Sequence, residues 1–239
     1  MDDGRAFAAM RAQVVGERYG HLSGEALLRP LIEQEFAGTI CLVSSFGAEA
    51  AVLLHMVAEI DSATPVLFLD TQKHFPETLR YRDALIERLK LSDVLSLTPD
   101  AAELARRDPD GTLWGRLPDA CCALRKVEPL DAALQPFAAW ISGRKRFHGG
   151  ARAALPAIEV DEARIKVNPL ATASAAEIAA EFARRGLPSH PLVAEGYLSI
   201  GCSVCTARPI RADDPRSGRW SELEKTECGI HRSLDSSCL

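Results

Sequence analysis

Residues 39–55 read TICLVSSFGAEAAVLLH, and this stretch decides the fold. Its first five residues, Thr39 to Val43, form a short apolar run that contains β-branched side chains, which is typical of a strand covered on both faces of a parallel sheet. A polar turn, Ser44 to Gly47, follows, and a helical pattern then runs from about Ala48 to Ile60. A buried strand that leads through a short turn into a helix is the repeating unit of an α/β fold.

The same unit recurs on both sides of this stretch. Further strands are predicted at 65–69, 94–97 and 140–143, and helices at 5–17, 23–36, 76–90 and 174–185. Strands that alternate with helices at this spacing predict a doubly wound, mostly parallel sheet. From Gly186 onward Pro, Gly, Ser and charged residues dominate, so we expect an irregular segment that folds over one edge of the sheet.

Composition excludes several classes of function. The 239 residues are enough for one sizeable core, and the formal net charge of −5 argues against bulk nucleic-acid binding. No apolar run approaches the roughly 20 residues that span a bilayer, and the first residues do not resemble a secretory signal, so we expect a cytoplasmic protein without membrane contact. Seven cysteines in a reducing compartment indicate metal binding or catalysis rather than a disulfide framework.

Four cysteines form two pairs, Cys121-Cys122 and Cys202/Cys205. Four thiolates are the usual ligand set of a cubane iron–sulfur cluster, and adjacent cysteines, which point about 100° apart in a helix, can reach different irons. Two alternatives stay open at this point. The cysteines could be packing residues of the core, or they could hold a structural zinc ion, although such sites usually use two spaced pairs.

The ends of the first two strands carry candidate ligand-binding residues. Ligands of open α/β sheets lie at the carboxyl ends of strands, which places Ser44 to Gly47 and Asp70-Thr71 on one edge. The turn between strand and helix offers free backbone N–H groups to an anion. It is not a Walker A loop, because no Gly-Lys-Ser/Thr follows, and an ordinary strand-to-helix connection remains an alternative.

A fifth cysteine, Cys228, lies in the polar C-terminal segment, where its thiol is expected to be accessible. Nearby cations favour a thiolate, and Lys225, His231 and Arg232 are candidates. Glu227 works against the thiolate, and the sequence offers no reason for it. The alternative is an incidental exposed cysteine.

Several guanidinium groups could bind phosphate or sulfate oxygens through paired hydrogen bonds, although single charged residues are more often part of a solvated face. The cations that we single out are Arg125, Lys126, Arg144, Lys145, Arg146, Arg152, Arg216 and Arg219.

Together these segments resemble the phosphoadenylyl-sulfate/adenylyl-sulfate reductase family. The resemblance spans Ile40 to His231 and rests on eight segments in order: SSFGAEAAVLLH (44–55), LFLDTQKHFPET (67–78), CCALRKVEPL (121–130), NPLA (168–171), LPSHPL (187–192), GYLSIGCSVCT (196–206), RSGRW (216–220) and ECGIH (227–231). It implies an adenine-nucleotide α-hydrolase-like fold, related to PP-loop proteins. It also implies a [4Fe–4S] cluster on Cys121, Cys122, Cys202 and Cys205.

The resemblance further implies a division of the chain and a set of site residues. The expected parts are N-terminal helices (1–36), a nucleotide- and cluster-binding domain (37–206) and a flexible catalytic tail (207–239). The catalytic residues would be Cys228, His231 and Lys126. The substrate-binding residues would be Ser44, Ser45, Phe46, Gly47, Glu49, Asp70, Thr71, Arg144, Arg152, Arg216 and Arg219.

Members of the family that keep both cysteine pairs typically reduce adenylyl sulfate (APS), whereas members that lack them use its 3′-phosphorylated form (PAPS). APS is therefore the expected substrate, thioredoxin or glutaredoxin the expected reductant, and a homo-oligomer is possible. The sequence departs from the family at Ala50, Ala173 and 146–149, and the last departure weakens the inference about nucleotide preference. One alternative function is a PP-loop iron–sulfur sulfur transferase, which would require a complete Ser-Gly-Gly-x-Asp-Ser loop and a basic RNA-binding surface. Another is an iron–sulfur redox sensor, which would require a partner-binding or DNA-binding module.

Overall fold

The computed structural model describes residues 2–211, 214–221 and 225–231. Its strands are β1 (Ile40–Ser44), β2 (Val66–Leu69), β3 (Val94–Leu97), β4 (Ala139–Ile141), β5 (Ile158–Asp161) and β6 (Arg164–Val167). The helices of the described part are α1 (Asp2–Tyr19), α2 (Gly24–Pro30), α3 (Ala50–Ile60), α4 (Pro76–Leu89), α5 (Ala101–Arg107), α6 (Leu113–Arg116), α7 (Pro118–Cys122), α8 (Glu128–Ala133), α9 (Ala175–Arg184) and α10 (Pro191–Ala194). Single π-helical turns, Leu31–Glu35 and Ala123–Val127, continue α2 and α7.

The six strands form one sheet in the order β3-β2-β1-β4-β6-β5. All neighbouring strands pair in parallel except β5, which pairs antiparallel with β6 at the edge. The predicted doubly wound, mostly parallel sheet is therefore confirmed. The strand order reverses direction between β1 and β4, so a crevice opens at their carboxyl ends, where ligands of such sheets bind.

Both faces of the sheet are covered, which explains why β1 is buried along its whole length. On one face, Leu27 and Leu28 of α2 and Leu54 of α3 belong to the large core that also contains Leu42 of β1. On the other face, a smaller cluster combines strand residues such as Trp140 with Leu130 of α8. Ile230 of the C-terminal segment packs against this second cluster, so that segment takes part of the place that a helix would fill.

The predicted strands and helices around β1, β2 and β3 agree with the structure to within about two residues, the usual uncertainty of element ends. Two regions differ. Residues 101–133, to which the sequence pattern assigned no helix, contain α5 to α8, and β5 and β6 were not predicted. Apolar and charged residues alternate in both strands of the β5–β6 hairpin, but each run is only four residues long, and the turn uses Glu162 at a positive φ of 57° instead of a glycine.

The turn after β1 has a tight backbone. The Phe46 N–H donates to the Ser44 hydroxyl, and Phe46 itself has a φ of 48°. A Cβ on Gly47 would lie 3.0 Å from the Ile200 carbonyl oxygen, so glycine lets residues 198–202 approach the turn closely. Within the described ranges, we find no helix with the length and apolar character needed to cross a bilayer.

Candidate functional site

A cavity of about 210 Å³ opens at the carboxyl ends of β1 and β4. The strand ends contribute its floor, with Val43 and Ser44 from β1 and Trp140 from β4. Three later segments close over it, namely 198–202, 216–220 and 227–231, and each places several residues in the wall. The irregular C-terminal part of the chain therefore folds over the edge of the sheet, where the sequence places it.

Most of the predicted site residues line this one cavity. They are Ser44, Ser45, Gly47, Glu49, Lys126, Arg144, Arg152, Cys202, Arg216, Arg219, Cys228 and His231. The cavity thus brings together residues from segments that are far apart in sequence.

The structure does not bring the side chains of Phe46, Asp70 and Thr71 to the cavity wall. Phe46 is fully buried in the core and meets the Phe68 ring edge-on, with 5.6 Å between ring centroids. The Asp70 carboxylate accepts the Gln72 N–H, and the Thr71 hydroxyl lies 3.3 Å from the sulfur of Cys202. Of these three predicted substrate contacts, Phe46 and Thr71 instead support the turn and the cysteine pair.

Glu49 is an anion held by two partners in the cavity wall. Its carboxylate lies 2.8 Å from Lys145 Nζ and 3.2 Å from His148 Nε2. Burial alone would raise the pKa of Glu49, but the hydrogen bonds and positive charges of His148 and Lys145 outweigh it and lower the pKa to about 2. Neither Lys145 nor His148 was among the predicted substrate contacts. The signals for this segment in the sequence are its cationic run at 144–146 and its departure from the family pattern at 146–149.

Arg144 keeps part of its hydrogen-bonding capacity free. Its guanidinium pairs with Glu159 of β5, while its Nε is buried and has no partner within the described residues. Burial, followed by the charge of Arg152, lowers the pKa of Arg144 to about 10, so it remains charged at neutral pH. Arg144 therefore carries a buried N–H donor for which the described residues supply no acceptor.

Glu227, which the sequence left unexplained, has clear partners. Arg152 grips its carboxylate with two hydrogen bonds, Nε to Oε1 at 2.5 Å and Nη2 to Oε2 at 2.7 Å. Arg216 lies 3.5 Å from Oε2 and also donates to the Thr226 carbonyl at 2.9 Å. These contacts hold the C-terminal segment on the cavity and offset the negative charge beside Cys228.

His231 cannot supply the positive charge that the sequence assigned to it. Its ring stacks on Trp140, with 5.9 Å between centroids and 6° between planes. Burial, together with the positive charges of Lys166, Arg144 and other cations, holds the pKa of His231 well below its usual value, so the imidazole is neutral at neutral pH. Its Nδ1 is buried and has no hydrogen-bond partner among the described residues.

Lys126 is the cation that the thiols share. Burial alone would lower its pKa, but the negative charges that Cys202, Cys228 and Cys122 can carry raise it above its usual value. In return, Lys126 and the Thr71 hydroxyl lower the pKa of Cys202 against the opposing effect of burial. Of the other predicted cations near Cys228, Lys225 pairs with Asp119, and Arg232 lies outside the described residues.

The two cysteine pairs lie in one neighbourhood. Cys121 and Cys122 end α7 and are buried, and Cys202 and Cys205 flank a 3₁₀ turn. Charge interactions link Cys121, Cys122 and Cys205 to Cys202. The six described cysteines are free thiols, and no group of His, Cys, Asp or Glu side chains in the described ranges converges on a point that could hold a single metal ion.

Two further contacts hold the cysteine pairs in place. The Ser203 N–H and hydroxyl both donate to the Lys73 carbonyl. Arg125 is buried, pairs with Asp108 at 2.5 Å and donates to the Thr71 carbonyl at 2.9 Å. Arg125, one of the cations singled out from the sequence, therefore ties α7 to the end of β2 and does not line the cavity.

The remaining cysteines lie elsewhere. Cys41 is fully buried within β1, where burial raises the pKa of its thiol, which agrees with a packing role. Cys238 lies outside the described residues.

Comparison with known proteins identifies the relatives of this chain. Residues 39–208 match the family model of the phosphoadenosine phosphosulfate reductase domain. The chain is 50 % identical, over 97 % of its length and 90 % of the relative's, to adenosine 5'-phosphosulfate reductase of Mesorhizobium japonicum. It is 41 % identical to the Mycolicibacterium smegmatis protein of the same name, over 88 % and 89 % of the two lengths.

Among solved structures, the chain resembles phosphoadenylyl-sulfate (PAPS) reductase from Candida auris, determined as a phosphate complex. The TM-score is 0.67 at 27 % identity, covering 82 % of this chain and 96 % of that one. The fold expected from the sequence is therefore the fold observed.

The ion cluster around Glu49 generates a prediction about stability. Since the folded pKa is about 2 and the usual value is 4.5, the carboxylate stabilises the fold above about pH 4.5 and loses this contribution as the pH falls towards 2. Glu49→Gln leaves buried Lys145 without its anion and is expected to lower the free energy of unfolding by about 2–4 kcal/mol at neutral pH. The difference from wild type should shrink in acid.

Urea denaturation of both proteins at about pH 7 and about pH 3 measures this difference. Glu33→Gln, which removes an exposed partner of Arg29, is the matched control and should change the free energy of unfolding by less than about 1 kcal/mol. A Glu49→Gln variant as stable as this control would contradict the assignment.

Proposed function

The chain belongs to the phosphoadenosine phosphosulfate reductase domain family, and from this premise we propose that it reduces adenylyl sulfate to sulfite and AMP with a dithiol protein as electron donor. The relatives reported above are named adenosine 5'-phosphosulfate reductases, which favours the nucleotide without a 3′-phosphate. The observation that carries the proposal is the position of Cys228 in the wall of a cavity that also contains Lys126, Arg216 and Arg219.

Different residues of the cavity would bind different parts of an anionic nucleotide. The backbone of the Ser44 to Gly47 turn faces the space in front of α3 and offers N–H groups to a phosphate. Arg144 adds positive charge to the wall. Arg216 and Arg219, whose guanidinium groups lie near the Trp220 ring, supply positive charge beside Cys228.

The proposed reaction has two steps. The Cys228 thiolate attacks the sulfur of the sulfate group, the bond from that sulfur to the phosphate oxygen breaks, and AMP leaves with the electron pair. Cys228 then carries a sulfonate. A thiolate of thioredoxin or glutaredoxin attacks the Cys228 sulfur and releases sulfite, and the second thiol of the reductant resolves the mixed disulfide and regenerates Cys228.

Thiolate and sulfate repel each other, so the first step needs fixed positive charge where they meet. Lys126 interacts electrostatically with Cys228, and its pKa is raised, so it is charged when substrate arrives. His231 is neutral. Its part is to anchor the segment through its stacking on Trp140, which fixes the position of Cys228 three residues before it.

The thiol quartet fits a [4Fe–4S] cluster, because four free thiols lie in one neighbourhood beside a permanent cation. Cys121, Cys122, Cys202 and Cys205 would hold it. When bound, it would supply electrostatic and structural support for the site without redox turnover.

The division into 1–36, 37–206 and 207–239, the cytoplasmic location and a homo-oligomer remain predictions.

The substrate can be tested by sulfite release. Anaerobically purified protein with thioredoxin should show a higher kcat/KM for APS than for PAPS. A preference for PAPS above tenfold, about 1.4 kcal/mol in transition-state free energy, would contradict the choice of substrate and leave PAPS reduction as the function.

The nucleophile can be tested by Cys228→Ser. This variant should bind nucleotide as wild type does and lose essentially all sulfite release, because a serine hydroxyl without an adjacent base is a poor nucleophile. Wild-type protein given APS without reductant should gain one sulfonate on the tryptic peptide that spans residues 226–232. Cys238→Ser is the matched control and should remain active; sulfonate on Cys238 would overturn the mechanism.

The metal can be tested by composition and colour. Anaerobic protein should be brown, with about four irons and four sulfides per chain, and replacing any of the four cysteines by Ser should remove the colour. Cys41→Ser is the control that should keep it. Colourless, active protein with stoichiometric zinc would show that the assignment is wrong.

A further inference from the structure

One edge of the Arg152 guanidinium is occupied although the residue lines the cavity. Its Nε and Nη2 face Glu227 at 2.5 Å and 2.7 Å, and its Nη1 lies 3.4 Å from His148 Nδ1. Paired N–H groups on one edge of a guanidinium are the arrangement that binds a carboxylate or a phosphate through two oxygens. A ligand in the cavity can bind this edge of Arg152 only after the Glu227 carboxylate has left it.

Glu227 is the anion that the structure places among the arginines. Arg216 reaches the same carboxylate at 3.5 Å, and Arg144 interacts with it electrostatically. Burial alone would raise the pKa of Glu227, but Arg152, Arg216 and Arg144 lower it, so the carboxylate is ionised at neutral pH. Two oxygens of a carboxylate present nearly the same acceptors to an arginine as two oxygens of a phosphate or sulfate.

The charges of the cavity favour such an exchange. Among the described residues, the cationic side chains of the wall are Lys126, Arg144, Lys145, Arg152, Arg216 and Arg219, and its carboxylates are Glu49 and Glu227. Glu49 lies within reach of Lys145 and His148, so its position is fixed by contacts within the wall. Glu227 belongs to the C-terminal segment, and its removal would leave the Arg152 edge open to the cavity.

We propose that the Glu227 carboxylate is an internal substitute for an anionic group of the substrate, so that this docked arrangement of the segment and nucleotide binding compete for Arg152. The inference rests on the proposed function, because it takes a sulfated nucleotide as the competing anion. Substrate binding then displaces Glu227 from Arg152, while the stacking of His231 on Trp140 and the bond from Arg216 to the Thr226 carbonyl remain to hold Cys228 near the cavity.

The affinity for APS distinguishes a Glu227 that competes with the nucleotide for Arg152 from a Glu227 that only supports the fold of the segment. In a Cys228→Ser background, in which APS is not consumed, Glu227→Gln should bind APS about tenfold more tightly, because the carboxylate no longer occupies Arg152. Glu33→Gln in the same background is the matched control and should bind APS as the parent does. Equal or weaker binding by the Glu227→Gln protein would overturn the competition.

This measurement separates the two proposals. If neither protein binds APS, the proposed function fails and the competition fails with it. If both bind APS equally, the proposed function stands and the competition alone is overturned.

Alkylation of Cys228 provides a readout that needs no nucleotide. Glu227→Gln on the otherwise wild-type chain should react several-fold faster with iodoacetamide, because the segment has lost its anchor on Arg152. The rates are compared near neutral pH, where Arg144 and Arg216 keep their charge, and each rate is divided by the thiolate fraction from that protein's own rate–pH profile. The tryptic peptide 226–232 contains Cys228 as its single cysteine and reports the modification. Identical corrected rates would overturn the anchoring by Glu227.

Discussion

The concentration of positive charge in a half-buried cavity is the constraint on which the rest of the site depends. Removing cations from water is costly unless they have partners, and the structure supplies partners for four of the six in different ways. Lys145 has Glu49, Arg144 has Glu159, Arg152 has Glu227, and Lys126 has the thiols around it. The partners therefore keep the cavity positive where a ligand enters and stable when no ligand is bound.

The sheet determines where these charges meet. The reversal of strand order between β1 and β4 opens the crevice. The parallel strands end at the same edge of the sheet, so the residues that follow them converge without long loops. The segments after α10 add the remaining cations from above. The site is thus built from two layers: a floor fixed by hydrogen bonding between strands, and a cover held by isolated backbone bridges, ion pairs and one aromatic stack.

The sequence predicted the floor better than the cover. The run Thr39 to Val43 predicts β1 because its burial follows from composition alone, and cysteine spacing predicted which thiols lie together. The partner of Glu227 could not be predicted, because ion pairs between Arg152 and a residue 75 positions away leave no periodic signal. The neutral state of His231 also depends on burial and on cations from other segments, which spacing cannot reveal.

The separation of the two cysteine pairs has a consequence for what brings the four thiols together. Residues 123–201 lie between them and contain β4, β5, β6 and α9, so half of the strands of the sheet belong to the loop that joins the two pairs. The antiparallel bridge between His74 and Cys202 completes the closure against the end of β2. The four thiols therefore lie together only in a chain whose sheet is complete, so the geometry of the quartet depends on the pairing of β4 and β6 as much as on the cysteines themselves.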